Sequence, residues 1–321
     1  MTKNPFSIYD FLGYVFPGAV CIIFINFLLL KDNITTLNDG IEAIKSIKLS
    51  LDTSIIIILL SYVIGHIMAY TSSVIVESFI KWNYGYPSEY LLNDVHDKKY
   101  FDNKNDIIIQ SWHIIVFIIL LPISVLNYIF STRLGGREYL IKQLDDLLKE
   151  CINIKFNLLM NKLNLSLNDD YRKYDYTRII YHYIYEHHDN HCKKIDNYVA
   201  LYGFLRSLTL IFCFIFWIII ISQAILIIPV FIKTICICGI VNILFNKHLY
   251  MLFFAASLMI SFYFDIVSLN LSIPLQFSPL IFISLITITL FSYISFMGFA
   301  KFYRRYTLEC FMCLITDPNI K

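Results

Sequence analysis

Apolar residues in this chain gather into long runs instead of alternating or forming the narrow stripe of a soluble surface helix. The runs cover residues 11–30, 54–80, 112–130, 203–228, 249–266 and 278–300. About 20 apolar residues at 1.5 Å per residue cross roughly 30 Å of hydrocarbon, so most of these runs have the length of a membrane span. The pattern predicts an all-α, polytopic helical membrane protein with four to six transmembrane helices. It divides the chain into an N-terminal membrane region (1–130), a soluble helical cap (131–202) and a C-terminal membrane region with a basic tail (203–321). Pro122 sits in the middle of 112–130, so a re-entrant or surface-lying arrangement is an alternative there. The piece 231–246 carries Lys233, Gly239 and Asn242 and is too short for a clear span.

The run 54–80 has the most regular internal pattern. Ser61, Gly65, Ala69 and Ser73 recur every fourth residue, and Glu77 continues the row. Residues four apart stack on one helix face, and small side chains there let a second helix approach closely. Tyr62, His66 and Tyr70 form a neighbouring polar row, which predicts that this side faces protein. A second small-residue surface, with Ser284, Thr287, Ser295 and Gly298, is suited to meet the first. In the first span Asp10 is placed to cap the helix start, and Pro17-Gly18 breaks it where protein, not lipid, must surround it.

Outside the runs, Leu140, Ile141, Leu144, Leu147 and Leu148 recur at helical spacing, and residues 171–200 read as one helix feeding the next span. A surface helix is expected near 41–49, and a break at Asn168–Asp170. Trp82, Tyr84 and Tyr86 have the chemistry of an interfacial belt. Lys301, Arg304 and Arg305 form a basic collar suited to anionic lipid headgroups. Residues 131–206 hold twelve Lys plus Arg. The excess of basic residues on cytoplasmic loops then places cap and tail on one side, in the cytoplasm. That requires one apolar run, 112–130 or 231–266, not to cross; the alternative is six crossings with the cap outside.

Composition narrows the class further. Hydrophobic residues make up 58% of the chain and charged residues 16%, with mean hydropathy +0.64. Soluble domains carry roughly a quarter charged residues. A net charge of +2 argues against nucleic acid as a partner. The eight cysteines are scattered, several in apolar runs, which is not a disulfide framework. Ionisable groups at membrane depth are costly and seek partners; Glu77 and Arg206 are expected to pair, while Lys233 and Asp265 mark interfaces. His66, Tyr70, Glu77 and Arg206 are the candidates for a polar membrane interior. Four of the eight histidines fall within 182–191. On one helix His182 and Glu186, and His187 and His191, would be two potential ligand pairs for a transition metal such as zinc. No phosphate loop, dinucleotide fingerprint, nucleophile elbow or zincin motif is present. A familiar enzyme is therefore not expected.

Four stretches stand together: Asp10-Phe-Leu-Gly13-Tyr14 with Pro17-Gly18; Gly65-His66 with Tyr70, Ser72-Ser73, Glu77 and Gly85-Tyr86-Pro87; Leu201-Tyr202-Gly203-Phe204 with Arg206-Ser207; and Arg304-Arg305-Tyr306. The combination resembles a family of uncharacterised bacterial inner-membrane proteins, some of them found among anti-phage defence genes. The resemblance implies a multi-pass inner-membrane setting rather than a reaction; with the packing stripes and the soluble cap joined to a span, it leads to the expectation of a non-enzymatic sensor or effector that acts on the bilayer. Its partners would be the lipid bilayer and a protein partner or second copy, with no cofactor. A channel or transporter with a polar path near Glu77 and Arg206, and a metal-dependent membrane enzyme using the His182–His191 cluster, are the alternatives.

Overall fold

The computed structural model describes residues 10–29, 51–92, 100, 107–133, 136, 141–165, 177–187, 189–244 and 279–320, and every regular element among them is helical. A π-helical turn (Phe11–Val15) leads into α1 (Phe16–Leu29). Then come α2 (Leu51–Tyr84), α3 (Pro87–Leu92), α4 (Ile107–Ile119) and α5 (Leu121–Asn127), followed by a second π segment (Tyr128–Arg133). The chain continues as α6 (Asp146–Lys162), α7 (Thr177–His187), α8 (Asp189–Leu244) and α9 (Pro279–Thr316). The surface helix expected near 41–49, the break at Asn168–Asp170 and the run 249–266 with Asp265 lie outside the described residues.

Among the described residues, three stretches are long and apolar enough to cross a membrane: Ser54–Leu92, His191–Ile221 and Ile281–Thr316. In the first apolar run, the apolar helix Phe11–Ile25 is shorter. The run 112–130 is not a straight crossing. Ile107–Ile119 and Leu121–Ser131 are bent by 89°. Leu120 leaves helical geometry at φ −93° and ψ 24°, with a proline in the first turn beyond it. Pro122 has no N–H to donate and its ring crowds the carbonyl four residues back, which is why the bend falls here. Thirteen residues of α4 extend only about 20 Å, so neither arm reaches across alone.

The chain divides into two compact units, residues 1–213 with 290–321, and residues 214–289. In the second, the described residues continue α8 and begin α9, and Phe216 meets Trp217 edge-on at 6.0 Å. The piece 231–246, doubtful as a span, is helical through Leu244 as part of α8.

Within the first unit, α1 and α2 meet backbone to backbone. A Cβ added to Gly18 would sit 1.8 Å from the Ser61 carbonyl oxygen, and one added to Gly65 would sit 1.8 Å from that of Tyr14. The π turn precedes Pro17, where the missing N–H already interrupts the ladder, and Phe16 N–H reaches back five residues to Phe11. Asp10 has helical dihedrals and makes no capping bond, contrary to expectation.

The cap is a helical cluster built on Ile152, Phe156 and Leu159 of α6, Ile180 and Ile184 of α7, Ile195 of α8, and Phe311 and Leu314 of α9, all buried. Helix α6 begins later than the leucine pattern predicts. Asp145 caps it by accepting from Leu148 N at 2.8 Å, which leaves Ile141 to Leu144 outside the helix and Leu147 72% exposed. The chain after α9 is clamped to the cap. Tyr183 donates to Asp317 Oδ2 at 2.9 Å, and Lys155 Nζ donates to the carbonyls of Asp317 (3.0 Å) and Ile320 (2.6 Å). Burial and the adjacent carboxylate raise the Tyr183 pKa, so its hydroxyl keeps the proton it donates. Cap and tail therefore lie on one side of any bilayer that the apolar stretches enter.

The close contact of α1 with α2 predicts opposite behaviour at two glycines. Gly65→Ala should cost roughly 1–3 kcal/mol, because backbone must move to admit the methyl group. Gly203→Ala, with nothing within 4 Å of the new Cβ, should be neutral or stabilising by up to about 1 kcal/mol. Thermal unfolding of each variant in micelles checks this; equal stability of Gly65→Ala and the parent would contradict it.

Candidate functional site

Burial along α2 follows 3.6 residues per turn: Ser61, Gly65, Met68, Ser72, Ile75, Val76, Phe79 and Ile80 are buried. A row spaced by four residues gains about 40° per step on such a helix. The small-residue row therefore winds around α2 and does not face one neighbour. Its first two members, Ser61 and Gly65, meet Gly18 and Tyr14. Further down, Ala69, Ser72 and Glu77 meet α8.

That second meeting is centred on Arg206. Its Nη1 donates to Glu77 Oε2, its Nε to Ser72 Oγ at 3.2 Å, and its Nη2 to the Ala69 carbonyl at 3.3 Å. The guanidinium is thus spent along two turns of one helix, a use of fixed, divergent donors that an ammonium cannot copy. Ser72 and Ser207 are fully buried, with hydroxyl oxygens 3.4 Å apart. Ser72 donates to the Ala69 carbonyl (2.9 Å) and Ser207 to that of Gly203 (3.1 Å). The other Glu77 oxygen takes Lys81 Nζ at 2.8 Å. Side-chain exposure is 13% for Arg206 and 19% for Glu77, so the pair is shielded but not sealed. It is a tie between two apolar helices at their cap-side end, and it leaves one positive charge in excess.

Other candidates are placed differently. His66 is exposed and stacks on Tyr14 at 3.8 Å between ring centroids, with Tyr62 edge-on at 4.5 Å. Tyr70 is 74% exposed. These two do not join Glu77 and Arg206: they fall on nearly the same side of α2 as Glu77 but lie eleven and seven residues before it, roughly 16 and 10 Å away along the axis. Ala69 and Ser73 are only half-buried, and the buried hydroxyl that serves Arg206 belongs to Ser72. Gly298 approaches Leu205 of α8, where an added Cβ would lie 2.9 Å from Cδ1, while α9 touches α2 through Phe296 and Phe79 at 5.8 Å. Ser284 belongs to the second unit.

In the basic collar, Lys301 and Arg305 are exposed and flank the Phe302 ring, but Arg304 turns inward and donates to the Lys142 carbonyl at 2.9 Å. Headgroup contact is thus open to two of the three. Trp82, Tyr84 and Tyr86 are committed to protein. Trp82 stacks on buried His113 at 3.8 Å, Tyr84 donates to Asn127 Oδ1 at 2.6 Å, and Lys81 lies over the Tyr86 ring. His113 also exchanges contacts with Tyr100, whose hydroxyl donates to the His113 carbonyl at 2.8 Å. This polar lining of the α4–α5 elbow was not anticipated. Its signal was an unexplained histidine and asparagine inside an apolar run.

The histidine cluster divides between two helices. His187 ends α7, its Nδ1 2.8 Å from the Tyr183 carbonyl, and Asp189 starts α8. Of the one helix expected over 171–200, residues 177–187 and 189–200 are helical. His182 and Glu186 are exposed on α7. His191 instead approaches Glu309 of α9 at 3.6 Å.

The chain matches no protein-family model, no curated protein and no solved structure.

Arg206→Lys preserves the charge but loses the forked donors to Ser72 and Ala69. It should lower stability by about 1–3 kcal/mol, since buried partners are left unsatisfied. Denaturant titration in micelles reads the change; a variant as stable as the parent would show that charge alone holds the helices.

Proposed function

We propose that this chain is a non-enzymatic integral membrane protein of the bacterial inner membrane, with a cytoplasmic cap that senses an intracellular state and passes it to the apolar helices. One observation carries the reading. Helices α8 and α9 each run unbroken from the buried centre of the cap into an apolar stretch. A change of packing at Ile195 or Phe311 therefore has a rigid route to the span. The Glu77–Arg206 tie lies where α8 leaves the cap. Basic residues of the cap and the exposed Lys301 and Arg305 support a cytoplasmic cap, and the bent α4–α5 pair supplies the run that need not cross. The resemblance to proteins found among phage-defence genes supports an effector that perturbs the bilayer once triggered.

The test combines sidedness with membrane potential in cells making the full chain. Asn157→Cys, in a background freed of native cysteines, should resist an impermeant thiol reagent until the cells are lysed. After phage challenge a potential-sensitive dye should report depolarisation, lost in an Arg206→Ala variant that still inserts. Labelling of intact cells would overturn the cytoplasmic cap, and an unchanged potential under challenge would overturn the effector role.

A further inference from the structure

The first turn of α8 and the last turns of α9 bring together three side chains of different ligand chemistry. His191, Glu309 and Cys313 each offer one ligand atom, and these atoms all lie within 4.8 Å of one another. Glu309 and Cys313 are four residues apart on α9 and share a face, while His191 comes from the other helix. Burial is graded: Cys313 is 3% exposed, the Glu309 side chain 13% and the His191 side chain 49%. The result is a cup with a buried thiol at its base and an imidazole at its open rim. Lys194 occupies the carboxylate, with Nζ 2.7 Å from Glu309 Oε2 and 2.8 Å from Oε1.

We propose that His191, Glu309 and Cys313 bind one divalent cation of the zinc class, with the fourth position left to water. Thiolate, imidazole and carboxylate are each zinc ligands, and a thiolate selects against magnesium and calcium. Bonds of about 2.0–2.3 Å in a tetrahedron set ligand atoms roughly 3.3–3.7 Å apart, so the cup must close by about 1 Å. Rotation of the half-exposed His191 and release of Glu309 from Lys194 provide that movement. On binding, the Cys313 S–H bond is lost, its proton passes to solvent and a sulfur–metal bond forms, with no electron transferred. The ion would staple the start of α8 to the end of α9, the two helices that continue into apolar stretches. This ligand set shares only His191 with the pairs read from the 182–191 cluster, and the inference does not depend on the proposed effector role.

The probe is cobalt(II), titrated into the purified, chelator-treated full chain in micelles. One equivalent should raise a thiolate-to-cobalt charge-transfer band, and zinc should abolish it by displacement. Cys313→Ser should remove the band, and His191→Ala and Glu309→Gln should weaken binding tenfold or more. Lys194→Ala should tighten binding, because a competing cation leaves the carboxylate, and His187→Ala should change nothing. Absence of a band, a band that survives Cys313→Ser, or one that depends on His187 would overturn the site. Should Cys313→Ser fail to fold, the exposed-rim variants His191→Ala and Lys194→Ala still decide, since their opposite effects have no other common source.

Discussion

A charged side chain within an apolar helix must find its partner inside the protein, and in this chain that constraint falls on Glu77 and Arg206. Removing either charge from water is costly, and the cost is recovered only when geometry is good and the remaining hydrogen-bond positions are filled. Here they are filled: the guanidinium reaches Glu77, Ser72 and the Ala69 carbonyl, and the carboxylate also takes Lys81. The requirement sets the register of α2 against α8, because shifting either helix by a turn would strand the Arg206 guanidinium. Once that register is set, Ser72 and Ser207 meet and Gly203 faces open space.

The same logic of satisfying polar groups inside the protein explains the regions on either side. At the elbow, Pro122 prevents a straight helix, and side chains of both arms meet α2, His113 stacking on Trp82 and Asn127 accepting from Tyr84. At the cap, the terminal carbonyls of Asp317 and Ile320 are held by Lys155. Neither the elbow nor the tail clamp would persist without the rigid helices that present these partners. Packing in apolar surroundings needs close approach more than hydrophobic area, and the Gly18–Gly65 contact supplies it for α1.

Much of this was legible in the residues alone, for physical reasons that differ by feature. Span-length helices follow from composition and length, and the ion pair follows from the cost of two isolated charges. Pro122 marked the possibility of a bend, though only the structure places it at Leu120. The four-residue row was misread as one face, because a 3.6-residue helix carries such a row around itself. Ser72, one position from that row, was therefore overlooked. His191 approaches Glu309 of α9, a neighbour too distant in sequence for the spacing within 182–191 to indicate it. The tail clamp joins residues 134 apart in sequence, and no local pattern announces a contact of that range.

The central claim is that Glu77 and Arg206 act as one unit holding α2 to α8. A double-mutant cycle with Glu77→Ala, Arg206→Ala and the paired variant, read by denaturant unfolding in micelles, tests it most directly. The account predicts that the double variant loses less stability than the two singles added together, by about 1–3 kcal/mol, because each single already breaks the shared pair and Glu77→Ala also leaves Arg206 without its carboxylate. Losses that add to within about 0.5 kcal/mol would show the two residues to be independent and would contradict it.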